Sequence, residues 1–227
     1  MDPFKNALGA GIPARRSLSD DVVDRLRAAI VRGTFVPDQH LSEAALAHSF
    51  GVSRGPIREA FAQLEREGLL TLERHRGARV TSLSGRDINE IYELRTALEK
   101  LAIRRACRFA TAADFTAMQA VVDVLREAAE RQDVVAVVAA DVRFHDLIYV
   151  AAKHERLYAA WSVLRPQIET FLFSRSMDQR DYLAKAVREH AALLAVIRAK
   201  TRVKAVTMIE DHIHSAYERL ARLSSER

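Results

Sequence analysis

Apolar residues recur at spacings of three and four along most of this chain, the signature of helices with one buried face, and two stretches depart from it. The first is residues 1–16, where Pro3, Gly9, Gly11 and Pro13 interrupt any period, so that segment reads as a flexible arm. A helix is then predicted from Ser19, an N-cap followed by Asp20 and Asp21, through Val22, Val23, Leu26 and Ile30 to Gly33. A short second helix follows Ser42, carries Ala45, Leu46 and Phe50, and closes at Gly51. A third follows Ser53, accepts Pro56 in its first turn, and runs to about Glu67 before Gly68. The second departure is a hairpin: Leu70 to Glu73, a turn across Arg74 to Gly77, then Ala78 to Thr81. From Ser84 onward six long helical patterns are predicted, at 86–109, 111–132, 133–152, 154–175, 178–199 and 201–223.

These elements predict a mainly α protein: an N-terminal winged helix-turn-helix at 17–83 and an all-α antiparallel helical bundle at 84–227. Composition agrees, since 49% of the 227 residues are hydrophobic, enough for a core, and glycine and proline are few. A single cysteine, Cys107, excludes an internal disulfide framework. The longest aliphatic run, Val134 to Ala140, is far short of the ~20 residues that span a bilayer. With no apolar h-region at the N-terminus, a cytoplasmic location is expected and a membrane partner is not. The formal net charge of +5 is compatible with a nucleic-acid partner, but residues 1–83 hold 12 Lys plus Arg against 10 Asp plus Glu. Net charge therefore says little, and the placement of individual arginines matters more.

Ser53, Arg54 and Gly55 open the third helix, where free N–H groups favour phosphate, and Arg58 lies one turn later on the same face. Arg54 and Arg58 can each take guanine O6 and N7 together, a contact worth roughly 1–3 kcal/mol of discrimination. The wing tip presents Arg74, His75, Arg76 and Gly77, suited to phosphate or minor-groove contact. Glu59, Glu65, Glu67 and Glu73 are interleaved with these arginines, so charge alone also permits a merely solvated face. The runs Leu41 to Gly51 (LSEAALAHSFG), Val52 to Ala60 (VSRGPIREA) and Leu64 to Leu70 (LEREGLL) resemble the DNA-binding domain of the GntR family, and Arg76 to Ser84 (RGARVTSLS) resembles its wing and exit. The resemblance implies DNA contacts at Ser53, Arg54, Gly55 and Arg58 and at the wing. It departs at Ala44, where some members carry a contacting arginine.

In the bundle, polar residues fall on core faces. Asp141 and His145 sit amid the stripe Val134, Val137, Val138 and Ile148; His190 sits amid Leu183, Ala186, Val187, Leu194 and Ile197; His212 lies at the edge of Val206, Ile209, Ile213, Ala216 and Leu220. Buried polar groups are costly unless paired, and a carboxylate with three imidazoles suits a borderline divalent ion. An Asp–His hydrogen-bond network without metal is the competing reading. His40, His48, His154 and His214 read as surface or filler positions. Helices 86–223, with Tyr92 to Glu99 (YELRTALE), Asp141 to His145 (DVRFH), Glu189-His190 and His212, resemble the FCD effector domain of the FadR subfamily, its six-helix VanR-like group. That resemblance implies a metal on Asp141, His145, His190 and His212, zinc foremost, with nickel or manganese as alternatives. It also implies that Arg95, on the stripe Ile88, Ile91, Leu98 and Ala102, clamps a small carboxylate effector. An ion pair of Arg95 with Glu99 or with an acid on another helix is the other reading.

The expected function is a ligand-responsive bacterial transcriptional regulator, by default a repressor, binding a pseudo-palindromic operator as a homodimer and released by the effector. A metalloregulator whose ion is the signal, or a metal-dependent enzyme acting on a small acid, is the alternative; no separate base or nucleophile groups with the ligand set.

Overall fold

The computed structural model describes residues 17–73, 76–176 and 180–225. Helix α1 (Leu18–Val31) starts two residues earlier than its N-cap signal suggested. Ser17 rather than Ser19 caps it, because Ser17 and Asp20 form a reciprocal capping box, which Ser19 would need an acid at position 22 to match. A two-residue strand β1 (His40–Leu41), which carries no periodic signal of its own, precedes α2 (Glu43–Phe50). Gly51 closes α2 in the left-handed conformation, and α3 (Arg54–Arg66) follows.

Strands β2 (Leu70–Glu73) and β3 (Gly77–Val80) pair antiparallel, and β1 adds to the free side of β3, giving the order β1-β3-β2. The wing's returning strand thus begins at Gly77, one residue before the predicted Ala78. Gly77 has φ +106°, and a Cβ there would strike the Leu41 carbonyl. The positive φ and the close approach of β1 require a glycine here. Leu26, Ile57, Ala60, Phe61, Leu64, Ala78 and Val80 close the small core beneath the sheet.

Six helices follow: α4 (Gly85–Phe109), α5 (Ala112–Glu130), α6 (Val134–Ala151), α7 (Glu155–Ser176), α8 (Arg180–Arg198) and α9 (Arg202–Ser225). Serine and threonine capping boxes start α4 at Ser84 and α5 at Thr111. The core of the bundle gathers Ile103, Met118, Phe144, Ile148, Trp161, Ile168, Ile197 and Ile209, all fully buried. Among the described residues no helix is long and apolar enough to cross a membrane. The two modules touch: α7 packs on α1, and Gly68, at φ +70°, lies against the Gln167 amide of α7. The arm at 1–16 and the wing residues Arg74 and His75 lie outside the described residues.

Candidate functional site

The first candidate surface is the start of α3. Ser53, Arg54, Gly55 and Arg58 are all exposed, as a groove-reading face requires. Ser53 takes the N-cap backbone conformation without a side-chain bond to its own helix. Arg58 Nε donates to Glu43 Oε2 at 2.7 Å, an ion pair of an arginine 65% exposed and therefore weak. Glu43, next to Ala44 at the start of α2, thus pairs with Arg58 across the two helices, a partner that sequence reading missed. Arg76 is exposed at the wing, where its carbonyl accepts from His40 Nε2 at 2.6 Å. Arg79 is engaged elsewhere, donating to Glu73 and to the Asp38 carbonyl, so it braces the sheet.

The second candidate is inside the bundle. Helix α6 brings Asp141 and His145, one turn apart; α8 brings His190; α9 brings His212. All four are buried, and their ligating atoms lie within 4.8 Å of one another. The tautomers follow from their partners. His145 Nδ1 lies 2.5 Å from Glu99 Oε2, His190 Nδ1 is 2.7 Å from the Ala186 carbonyl, and His212 Nδ1 is 2.9 Å from Glu189 Oε2. Carboxylates and carbonyls only accept, so in each ring Nδ1 carries the proton and donates, which leaves the Nε2 lone pair free. Nε2 of His145 and of His190 are buried with no hydrogen-bond partner among the described residues. His190 Nε2 stands 3.2 Å from Asp141 Oδ1. Ligands about 2.0–2.1 Å from a tetrahedral zinc ion would be about 3.3 Å apart.

Electrostatics do not treat the rings alike: burial lowers the His190 pKa, but the Asp141 carboxylate beside its Nε2 outweighs this and raises it. Burial pushes the His212 pKa down, and the neighbouring His190 and His145 push it further, to about 4, so this imidazole is neutral at ordinary pH. Burial alone would raise the Asp141 pKa, but His190 and the other rings hold it well below the usual carboxylate range. One carboxylate and three oriented imidazoles form a group that can hold a divalent cation. Unpartnered buried nitrogens are what such a group shows when its lone pairs await an ion.

Arg95 lies on the buried face of α4, 1% exposed, and donates through Nε to Glu99 Oε1 at 2.7 Å. Glu99 therefore spans two roles, neutralising Arg95 with one oxygen and orienting His145 with the other. The i,i+4 ion pair is present, and it ties Arg95 to the His/Asp group through one carboxylate. Trp161 and Tyr149 stack at 4.7 Å to form an aromatic wall, with the Arg95 guanidinium 6.0 Å from the Trp161 ring and His145 at 6.5 Å. The Tyr149 hydroxyl is buried without a partner among the described residues. Trp161 Nε1 donates to Asp146 Oδ1 at 2.7 Å, and Arg165 on α7 reaches the same carboxylate at 3.1 Å. The orienting roles of Glu99 and Glu189 escaped sequence reading. Glu99 shares the Arg95 stripe and could have been flagged as buried; Glu189 reaches His212 from another helix and carries no local signal. His48 and His214 are exposed and stand apart from this group.

The sequence matches the family described as bacterial regulatory proteins, gntR family, at residues 18–80, and the FCD domain at residues 90–215. The Bacillus subtilis (strain 168) HTH-type transcriptional regulator YdhC is 30% identical over 89% of this chain and 91% of its own. The gluconate operon transcriptional repressor of Bacillus licheniformis is 29% identical over 83% of this chain and 79% of its own. The solved structure of E. coli McbR/YncC superimposes with a TM-score of 0.83 over 92% of this chain and 100% of that one; at 22% identity this speaks for the fold.

Proposed function

Since the chain belongs to the GntR family of bacterial regulatory proteins and carries an FCD domain, making it a DNA-binding transcriptional regulator rather than an enzyme, we propose that it is a cytoplasmic, effector-released repressor with a divalent metal in its bundle. Residues 17–83 act as the reading module and 84–227 as the sensing and dimerising module. In a homodimer two α3 helices address the half-sites of a pseudo-palindromic operator, with Arg54 and Arg58 at base edges and Ser53, Gly55 and the wing residues Arg74, His75, Arg76 and Gly77 at the backbone.

The observation that carries the sensing half is the common tautomer: three imidazoles donate from Nδ1 and offer Nε2 beside Asp141. Asp141, His145, His190 and His212 would hold the metal, with zinc the first candidate for this donor set and nickel or manganese next. When bound, the ion supplies a positive centre that attracts a carboxylate. Arg95, already half-neutralised by Glu99, supplies a planar donor fork for the same class of ligand. The relative that represses a gluconate operon makes sugar acids the first effectors to test.

Helix α7 is the natural conduit to the reading module. It carries Trp161 at the aromatic wall and Arg165, which lies 3.5 Å from Glu169 and bridges to Asp146 beside His145. Two residues beyond Arg165 on the same helix, Gln167 lies against Gly68. Burial raises the Glu169 pKa, against the opposing charges of Arg165, of Arg27 on α1 and of Arg32 at its C-cap. A shift of α7 on effector binding need supply only about 1–3 kcal/mol of coupling.

The test combines metal analysis of protein purified without chelator with DNA affinity measured for metal-loaded and metal-free protein, with and without gluconate and other small carboxylates. One ion per chain, lost in His190→Ala, with DNA released only when acid is added, is the expected result. DNA release on metal removal alone would instead identify the ion as the signal. A stoichiometric ion absent from both proteins would overturn the metal assignment.

A further inference from the structure

The end of the bundle farthest from the reading module is far more basic than the reading module itself. Three interhelical turns meet there, after α4, after α6 and after α8. Arg105 from the end of α4 donates to the Ala152 and Lys153 carbonyls at 2.9 and 3.2 Å, and Lys153 reaches Asp114 at the start of α5 at 2.9 Å. Arg198 at the end of α8 lies 5.7 Å over the Phe115 ring of α5, and Arg202 at the start of α9 acts electrostatically on Cys107 of α4. The segments 104–116, 150–158 and 196–206 thus form one surface. They contain nine Lys plus Arg and two Asp plus Glu, a net +7, which exceeds the +5 of the entire chain. The rest of the molecule is net negative.

Arg104, Arg108, Arg156, Lys200, Arg202 and Lys204 are exposed there, and none has a carboxylate within ion-pair distance among the described residues. The exposed Phe109 ring is flanked by the Arg105 and Arg108 guanidiniums at 4.8 and 4.9 Å, so cations cover even the apolar centre of the patch. Charge of one sign gathered this way costs self-repulsion unless a polyanion answers it. Helices α5, α7 and α9 also begin at this end and add partial positive charge. Helix α4 is 25 residues long, about 37 Å at 1.5 Å per residue, and its first turn adjoins the reading module. A duplex lying on the recognition helices therefore cannot also lie on this end.

We infer that the distal end of the bundle is a second DNA-binding surface, one that takes the phosphate backbone of another duplex without regard to sequence, so that the operator-bound regulator bridges two DNA segments. Double-stranded DNA is favoured over an acidic protein for two reasons. The cations spread over three turns instead of lining a groove, and duplex is at high local concentration around a DNA-bound regulator. The basic end is distinct from the α3 face, so the two surfaces can fail separately.

The test uses full-length, metal-loaded protein on a bead-bound duplex carrying the operator it selects from random sequence, and measures capture of a free fluorescent duplex lacking that operator. The parent should capture the second duplex at low salt. Arg108→Ala/Lys200→Ala/Arg202→Ala/Lys204→Ala should lower capture at least tenfold, with the slope of log affinity against log salt falling by about 3–4 for four lost phosphate contacts. Operator affinity and metal content should stay at parental values, and Lys200→Arg/Lys204→Arg should capture as well as the parent. No capture by the parent, or equal capture by the four-alanine variant, overturns the inference. So does a loss of operator affinity by the same factor as capture, which would place the effect in the reading module or in the fold.

Discussion

The reading module and the bundle each contain an arginine paired with a glutamate at 2.7 Å, and the pairs have opposite meanings. Arg58–Glu43 lies on the surface, with the arginine 65% exposed; Arg95–Glu99 lies in a core from which water is excluded, at 2% and 0%. In water the first pair is worth little and can be exchanged for contacts to DNA. In the core the second cannot be dissolved without stranding a charge. The reading module keeps its interior apolar and its chemistry outside, whereas the bundle places its chemistry where a packed core would otherwise be. Recognition of a large polyanion needs exposed cations. Recognition of a small ion or acid needs groups desolvated in advance, held by partners such as Glu99 and Glu189.

The largest effect should separate those two pairs. Glu99→Ala leaves the Arg95 cation buried and His145 unoriented, and should cost about 3–5 kcal/mol of stability in denaturant unfolding. Glu43→Ala, the equivalent deletion at the surface, should cost at most about 1 kcal/mol. Similar losses in the two variants would break the distinction. Next in size, Arg54→Ala and Arg58→Ala should each weaken operator binding by roughly 1–3 kcal/mol at fixed salt, and thermal melts should remain near the parent. If both variants bind operator like the parent, the α3 face does not read the groove.

A third prediction concerns support of the residues proposed to hold the metal. Glu189→Ala removes the acceptor that orients His212 and should weaken metal affinity 10–100-fold by competition with a chromophoric chelator, with the DNA affinity of the saturated protein unchanged. Unchanged metal affinity would show that His212 does not need its outer partner.

The smallest effect tests the contact between modules. Gly51→Ala and Gly68→Ala both place a side chain at positive φ, at about 1 kcal/mol each, but only at Gly68 would a Cβ meet a neighbour, the Gln167 amide. The excess destabilisation of Gly68→Ala should be below about 1 kcal/mol and vanish in a Gln167→Ala background. An excess that survives there would locate the strain elsewhere.

Much of this was legible in the sequence. The long helices were predicted within a few residues because capped, periodic helices announce both ends, as Ser84, Thr111 and Gly51 do. Strand β1 was not legible, since two residues carry no period and His40–Leu41 is extended only because β3 offers an edge. The four buried polar residues showed themselves by sitting on apolar stripes, a contradiction that one helix at a time can display. Glu99 and Glu189 did not, because their meaning depends on residues 46 and 23 positions away.

By itself, then, the sequence determined the element order, the two modules, the exposed arginines of α3 and the presence of polar groups on core faces, all of which follow from local periodicity and capping. Tertiary structure decided which nitrogen of each histidine faces its neighbours, that one glutamate serves both Arg95 and His145, that Gly77 lies too close to the Leu41 carbonyl for a side chain, and that cations scattered over a hundred residues share one end of the bundle. The physical reason is common to all four: hydrogen-bond direction, ion pairing and charge density depend on distances of a few ångströms between groups far apart in the chain, and only packing sets those distances.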